Sequence, residues 1–195
     1  MDFFLDFGYM NERKVNKDFV KGKITAFEKI YDQYSDRVGG LCARYTRCED
    51  DANDILQETF IRLYENRKRF DPNLPIWPWI KKITINSSLE YIRKNYKLVL
   101  TEDAENRFKE DSTCEQAELN YENENQKFKQ KVLAILRNMP DGYRAVFNLF
   151  AIENYTHKEI AGILNITENN SRTQYHKAKN KIRKELEKKY QSVGL

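Results

Sequence analysis

The stretch Tyr155–Leu186, YTHKEIAGILNITENNSRTQYHKAKNKIRKEL, decides the fold. Thr156 and Glu159 have the spacing of a capping box, in which each side chain satisfies the other residue's backbone N–H, so a helix is expected to start here. Ile160, Ala161, Ile163 and Leu164 form its apolar face, and the small Ala161 lets a second helix approach closely. Asn165 tolerates the left-handed backbone that a tight turn needs. Ile166 fits between the helices, and Thr167 is placed to cap the next one. That helix is expected to bury Ser171, Tyr175, Ala178, Ile182 and Leu186, which recur at helical steps. Its other faces carry Arg172, Thr173, Gln174, His176, Lys177, Lys179 and Lys181. The pattern is a helix-turn-helix. Arg and Gln near the start of the second helix reach base edges in a major groove, and Lys further along reaches phosphates. The plain alternative is a helical hairpin with a solvated basic face. The capping box, the small residue, the Asn turn and the basic helix fall in register, which favours the DNA reader.

Working outward, the same periodicity governs the rest of the chain. From Ile24 to Tyr45 apolar residues recur at steps of three or four, giving one helical stripe. EDDANDILQETFIRLYENRKRF predicts a second helix, with Ile55, Leu56, Phe60, Leu63 and Tyr64 on its stripe and acids in its first turn, where the dipole favours them. DPNLPIWP interrupts the pattern with prolines. A third helix is expected to open near Pro78 and to run through Trp79, Ile80, Ile83, Leu89 and Ile92 to about Tyr96. A helix resumes near Phe128, MPDG marks a turn, and YRAVFNLFAI is another short helix. No useful strand alternation occurs. The reading is an all-α chain of two small helical domains, 1–96 and 126–195, joined by the linker 97–125.

Charge separates these parts. Residues 1–96 hold 17 Lys/Arg against 15 Asp/Glu, residues 97–125 hold 3 against 9, and residues 126–195 hold 14 against 6. The modest net charge of +4 therefore conceals a basic C-terminal block beyond an acidic segment, which suits a polyanionic partner. No stretch approaches the roughly 20 apolar residues of a membrane span. The start, MDFFLDFGYM, lacks a basic n-region and a small-residue cleavage site, so a cytoplasmic chain without membrane insertion is expected. Cys42, Cys48 and Cys114 lack CxxC spacing, and both histidines are far away in sequence; reduced thiols and no metal are expected. No phosphate-binding glycine loop and no nucleophile–base pair stands out, so neither an enzyme nor a cofactor is expected.

The helix-turn-helix stretch and its lead-in, MPDGYRAVFNLFAIENYTHKEIA, resemble region 4 of the extracytoplasmic-function (ECF) sigma factors, small alternative sigma subunits of bacterial RNA polymerase. FEKIYDQYSDRVGGLCARYTRCEDDANDILQETFIRLYENRKRF resembles sigma region 2.1 to 2.2, and IWPWIKKITINSSLEYIRK resembles region 2.3 to 2.4. The likeness covers roughly residues 20–190 with its blocks in the right order. It implies a promoter-specificity subunit that binds core RNA polymerase, places region 4 on −35 duplex DNA and melts the −10 element. It implies that Asp51, Asp54, Gln57, Glu58 and Phe60 face the polymerase. It implies that the loop Phe70–Ile76 captures a flipped −10 base, with Trp77, Lys81, Lys82, Asn86, Tyr91, Arg93 and Lys94 on the melted strand. The physics agrees: exposed bases stack on aromatics and bond amides, while cations hold phosphates. Trp79 lies in the apolar stripe and reads as core, whereas Trp77 lies off it. In region 4, Arg172, Thr173, Gln174 and Lys177 match groove-facing positions, with His176 and Lys179 at the backbone.

This chain departs from the family in two places. Asn169, Asn170 and Ser171 stand where many members have Gly-Thr-Val, which leaves the start of the recognition helix open. The loop before Trp79 is rich in Pro, which leaves its base preference open. The resemblance also implies that the acidic linker threads the polymerase RNA exit path and that an anti-sigma factor is a possible partner. A rival reading is a helix-turn-helix regulator acting as a free dimer on two half-sites, which gives the region 2-like block no task.

Overall fold

The computed structural model describes residues 3–95 and 124–191, and every regular element among them is helical. By its contacts the chain forms two compact units, Met1–Cys42 with Asp50–Tyr91, and Ala43–Glu49 with Ile92–Leu195. Most of the acidic segment 97–125 lies outside the described residues; its last two residues open a helix.

The first unit contains α1 (Phe3–Val20), α2 (Ile24–Ala43), α3 (Glu49–Glu65), a 3₁₀ turn at Arg67–Arg69 and most of α4 (Trp77–Asn95). The helix α1 was not anticipated. MDFFLDFGYM gives no clear stripe, and the family resemblance begins after it. Gly22 joins α1 to α2 at φ +84°, a left-handed conformation that costs glycine little. A Cβ there would also lie 3.2 Å from Arg67 Nε. The expected stripes supply the core: Ile30, Val38 and Leu41 of α2, Ile55, Phe60 and Leu63 of α3, and Ile80 and Leu89 of α4 are all buried. Burying each such side chain contributes about 1.5–3 kcal/mol. Phe19 brings α1 into this core, 6.3 Å from Phe27 and 6.5 Å from Trp79 between ring centroids. Trp79 also stacks on the buried Phe70 at 4.9 Å but is itself half-buried, as Trp77 is. Two stripe residues, Ile24 and Tyr31, are instead exposed at the edge of α2.

On α4 the buried face is unusually polar. Thr84 donates to Ile80 O at 2.9 Å and Ser88 to Thr84 O at 2.8 Å. Bonding back to the preceding turn lets these hydroxyls be buried within their own helix.

The second unit contains α5 (Glu124–Arg137), α6 (Asp141–Phe147), a single wide turn at Asn148–Ile152, α7 (His157–Leu164) and α8 (Glu168–Gln191). Pro140 precedes α6, so Asp141 and Gly142 of MPDG already belong to that helix. Leu136, Met139, Tyr143 and Ala178 form a core to which Val132, Ile135, Phe147 and Ile182 add. Both α6 and α7 pack on α8.

Arg144 is fully buried and cross-links this unit. Its guanidinium donates to the carbonyls of Leu136, Arg137 and Met139 at 3.3–3.4 Å, closing the C-terminal end of α5, where a cation is favoured. It also pairs with Asp141, whose second cation is Arg47, and donates to Tyr45 O at 3.1 Å. A buried cation is tolerated here because nearly all its donors are used.

Candidate nucleic-acid interface

The turn between α7 and α8 forms as the sequence predicts. Glu159 N–H donates to Thr156 Oγ1 at 3.2 Å, and Thr156 N–H donates to Glu159 Oε2 at 2.8 Å. The Thr156 hydroxyl also donates to Glu159 Oε2 at 2.7 Å, and this bond first and the Thr156 backbone N–H second hold the Glu159 carboxyl below its usual range. Asn165 adopts φ 55° and ψ 49°, the left-handed turn expected of it. Thr167 accepts from Asn170 N–H at 3.1 Å and caps α8, which begins at Glu168. The departure at 169–171 therefore leaves the cap two positions upstream intact.

This cap fixes which side chains point outward. Arg172, Thr173, His176 and Lys179 are exposed on α8. Ser171 and Ala178 are buried, while Tyr175, Ile182 and Leu186 are half-buried. Gln174 corrects the sequence expectation. It is 4% exposed, bonds Asn170 Oδ1 at 2.9 Å and lies against α6, so it is withdrawn from the outward face. The cause is a close helix approach: a Cβ on Gly142 would stand 2.7 Å from Gln174 Oε1. Lys177 is half-buried, with its ammonium 5.7 Å from the Tyr143 ring centroid. Arg172 pairs with Glu168 at 2.6 Å, with side chains 61% and 45% exposed. An exposed i,i+4 pair of this kind is worth about 0.3–0.5 kcal/mol, so a guanine or a phosphate can displace Glu168 at little cost.

On α4, Lys82, Asn86 and Arg93 are exposed at spacings of four and seven, which places them on one side of the helix. An amide flanked by two cations suits a single strand, with base edge and phosphates read together. Lys94 is exposed and Lys81 half-buried. Arg93 donates to Ile163 O within the second unit. Tyr91 is half-buried and donates its hydroxyl to Asp51. Trp77 is half-buried, stacked on Tyr34 at 5.8 Å with the Arg37 guanidinium 3.8 Å from its ring centroid.

The loop before α4 is pinned at both ends. Phe70 is buried against Trp79, and Ile76 is 1% exposed. Between them Asp71 accepts from Asn73 N–H at 3.0 Å, and Leu74 N–H closes on Asp71 O at 3.1 Å. This turn leaves Asn73 and Leu74 at the tip, both exposed.

On α3, Asp54, Gln57 and Glu58 are exposed as expected, and Ile61, 53% exposed, lies among them. Sequence reading passed over Ile61, although its spacing from Asp54 and Gln57 is helical and could have revealed it. Phe60 corrects the expectation: it is 3% exposed and packs on Tyr31 at 4.7 Å and Phe27 at 6.2 Å. It supports the face from beneath. Asp51 is half-buried and engaged by Tyr91, so it lies at the margin of that face. Arg62 bonds both Glu58 and Glu90, tying α3 to α4.

Among the described residues, no group of three or more His, Cys, Asp or Glu could hold a metal ion, and no helix is long and apolar enough to cross a membrane. Cys42 is buried and Cys48 half-buried.

Residues 30–97 match the family model of Sigma-70 region 2, and residues 129–182 match that of Sigma-70 region 4. The ECF RNA polymerase sigma factor SigW of Bacillus subtilis is 34% identical over 188 residues, covering 89% of this chain and 96% of SigW. SigM of the same organism is 26% identical over 162 residues, covering 80% of this chain and 92% of SigM. A solved structure of CnrH in complex with the cytosolic domain of CnrY aligns with 90% of this chain and 97% of that one, at 19% identity and a TM-score of 0.49. The chain belongs to the extracytoplasmic-function family of RNA polymerase sigma factors.

Proposed function

We propose that this alternative sigma factor recognises promoters with two separate surfaces. The outward side of α8, with Arg172, Thr173, His176 and Lys179, reads the −35 duplex. Loop 71–75 and the Lys82–Asn86–Arg93 line of α4 hold the melted −10 strand. The exposed acidic side of α3, with Asp54, Gln57, Glu58 and Ile61, docks on core RNA polymerase. The chain performs no bond chemistry of its own, and it works where the polymerase works, in the cytoplasm. An anti-sigma factor that covers these surfaces is part of the proposal on the family likeness, as is passage of the acidic linker through the RNA exit path.

The observation that carries the reading is the capped turn at Thr167, because it fixes an exposed Arg172–Thr173–His176 surface at the start of a 24-residue basic helix. A free dimeric regulator would leave the α4 line and the α3 face without a role.

Transcription in vitro with bacterial core polymerase on a genomic library tests this directly. Wild-type protein is expected to select promoters sharing two elements. Arg172→Ala should relax selection at the −35 element by about 1–3 kcal/mol, the worth of one bidentate base contact. Asn86→Ala should impair −10 use and opening while leaving −35 selection intact. If both variants transcribe the wild-type promoter set at wild-type rates, these site assignments are wrong.

A further inference from the structure

We propose that α1 sets the conformation of the −10 loop, with Asn16 and Glu12 as its positioning residues. The inference rests on the reading of loop 71–75 given above and adds a control element outside the matched sigma region 2. Pro75 has no N–H, so the returning limb of the loop offers Leu74 O and Ile76 N–H as the backbone groups flanking it. One turn of α1 engages both. Asn16 Nδ2 donates to Leu74 O at 3.2 Å, and Glu12 Oε1 accepts from Ile76 N–H at a longer 3.4 Å. The two residues stand four apart, so they project from the same side of the helix.

Burial makes the Asn16 contact specific. Asn16 is 1% exposed, a rare position for an amide. Its Oδ1 has no partner, so the bond to Leu74 O is what the buried side chain gains in return. A cleft of about 560 Å³ opens beside it, lined by α1, by Gln33 and Tyr34 of α2, and by Ile76. Ile76 anchors the end of this limb in the core, and beside the cleft two polar tethers hold its main chain. Holding Leu74 O and Ile76 N–H fixes the direction in which Asn73 and Leu74 leave the surface. A reading loop held this way meets a base in one pose, whereas a loosened loop meets all four bases less selectively.

The test compares the full-length protein and its variants, each with core polymerase, on a promoter and single-base substitutions of its −10 element. The readout is the ratio of open complex formed on the preferred and substituted promoters, which does not depend on the fraction of active protein. Asn16→Asp keeps the side-chain shape but replaces the donor facing Leu74 O with an acceptor. Glu12→Ala removes the second tether at a half-buried position, and Glu12→Gln retains an acceptor. Asn16→Asp and Glu12→Ala should each lower discrimination at one or more −10 positions at least fivefold, with −35 selection and affinity for core polymerase unchanged. Glu12→Gln should behave as wild type. Wild-type ratios in both Asn16→Asp and Glu12→Ala would overturn the role of α1 alone. Indifference of the wild-type holoenzyme to every −10 substitution would overturn the reading of the loop, and the role of α1 with it.

Discussion

His157 shows how one residue couples the helix-turn-helix to its surroundings. It opens α7 yet is only 8% exposed. Its Nδ1 lies 2.9 Å from Ser171 Oγ, and its ring stacks on Phe150 at 4.1 Å and tilts against Tyr175 at 5.9 Å. Burial lowers its pKa from the ordinary 6.5; the positive field of Arg172 adds to this, and Glu168 opposes it. The folded protein thus prefers the neutral imidazole. Above the ordinary value both folded and unfolded chains carry it neutral, and no stability depends on it. As pH falls through 6.5 the unfolded chain takes up a proton that the folded chain refuses, so stability is lost until the lower folded pKa is reached. The unfolding temperature of wild type should therefore drop more between pH 7.5 and 5.5 than that of His157→Gln, which cannot titrate but can still bond Ser171. Parallel pH profiles for the two proteins would rule this out. From sequence His157 was simply a histidine remote from any other ligand; its neighbours Phe150 and Ser171 are brought in by the wide turn and by α8. Gln174 was misplaced for a related reason. Period alone separates Arg172 from Ser171, but whether Gln174 faces solvent depends on how near α6 comes, and that is decided at Gly142.

Among the elements, those set by local chemistry were legible, and those set by a distant partner were not. The capping box, the Asn165 turn and the Thr167 cap each need only residues within four positions, and all three formed as read. The α4 start after DPNLPI was legible too, because Pro at a first turn sacrifices no helical bond. By contrast α1 carries its meaning in Asn16 and Glu12, whose partners lie 58 and 64 residues away. No periodicity announces such a contact. The capping box also permits a direct measurement. Replacing Thr156 with Ala removes the acceptor for Glu159 N–H and the hydroxyl that bonds the Glu159 carboxylate, and should cost about 1 kcal/mol of stability. Thr156→Ser keeps the oxygen and should cost far less. Denaturant unfolding of the full chain reads both, and equal midpoints for wild type, Thr156→Ala and Thr156→Ser would mean that the box contributes nothing. Because Thr156 lies outside the outward side of α8, promoter preference should survive in Thr156→Ala wherever the protein is folded.

For the whole molecule, the decisive quantity is the affinity of each surface alone. The α8 surface offers about one turn of base-reaching side chains, and the α4 line offers one amide between cations. Neither approaches the buried area of a tight specific complex, which is roughly 1,000–2,500 Å² of protein surface. What the C-terminal block has in full is charge: residues 126–195 carry 14 Lys/Arg against 6 Asp/Glu. The free chain should therefore bind DNA mainly through phosphates, with a Kd no tighter than about 1 μM at physiological salt, little preference among sequences and a steep loss of affinity as salt rises. In the proposed holoenzyme, with α3 held on core polymerase, the second contact on one promoter becomes intramolecular, at an effective concentration on the order of millimolar. Two weak readings then combine into one specific one. Fluorescence anisotropy with a promoter duplex and a scrambled duplex, each with and without core polymerase, measures this. The two duplexes should be bound about equally by the free chain and should separate only in the holoenzyme. Asp54→Lys together with Ile61→Ala should return the mixture to free-chain behaviour by abolishing docking, without altering the free chain's preference among sequences. Nanomolar, sequence-selective binding by the free chain, unchanged by core polymerase, would show that the two surfaces need no polymerase to act together.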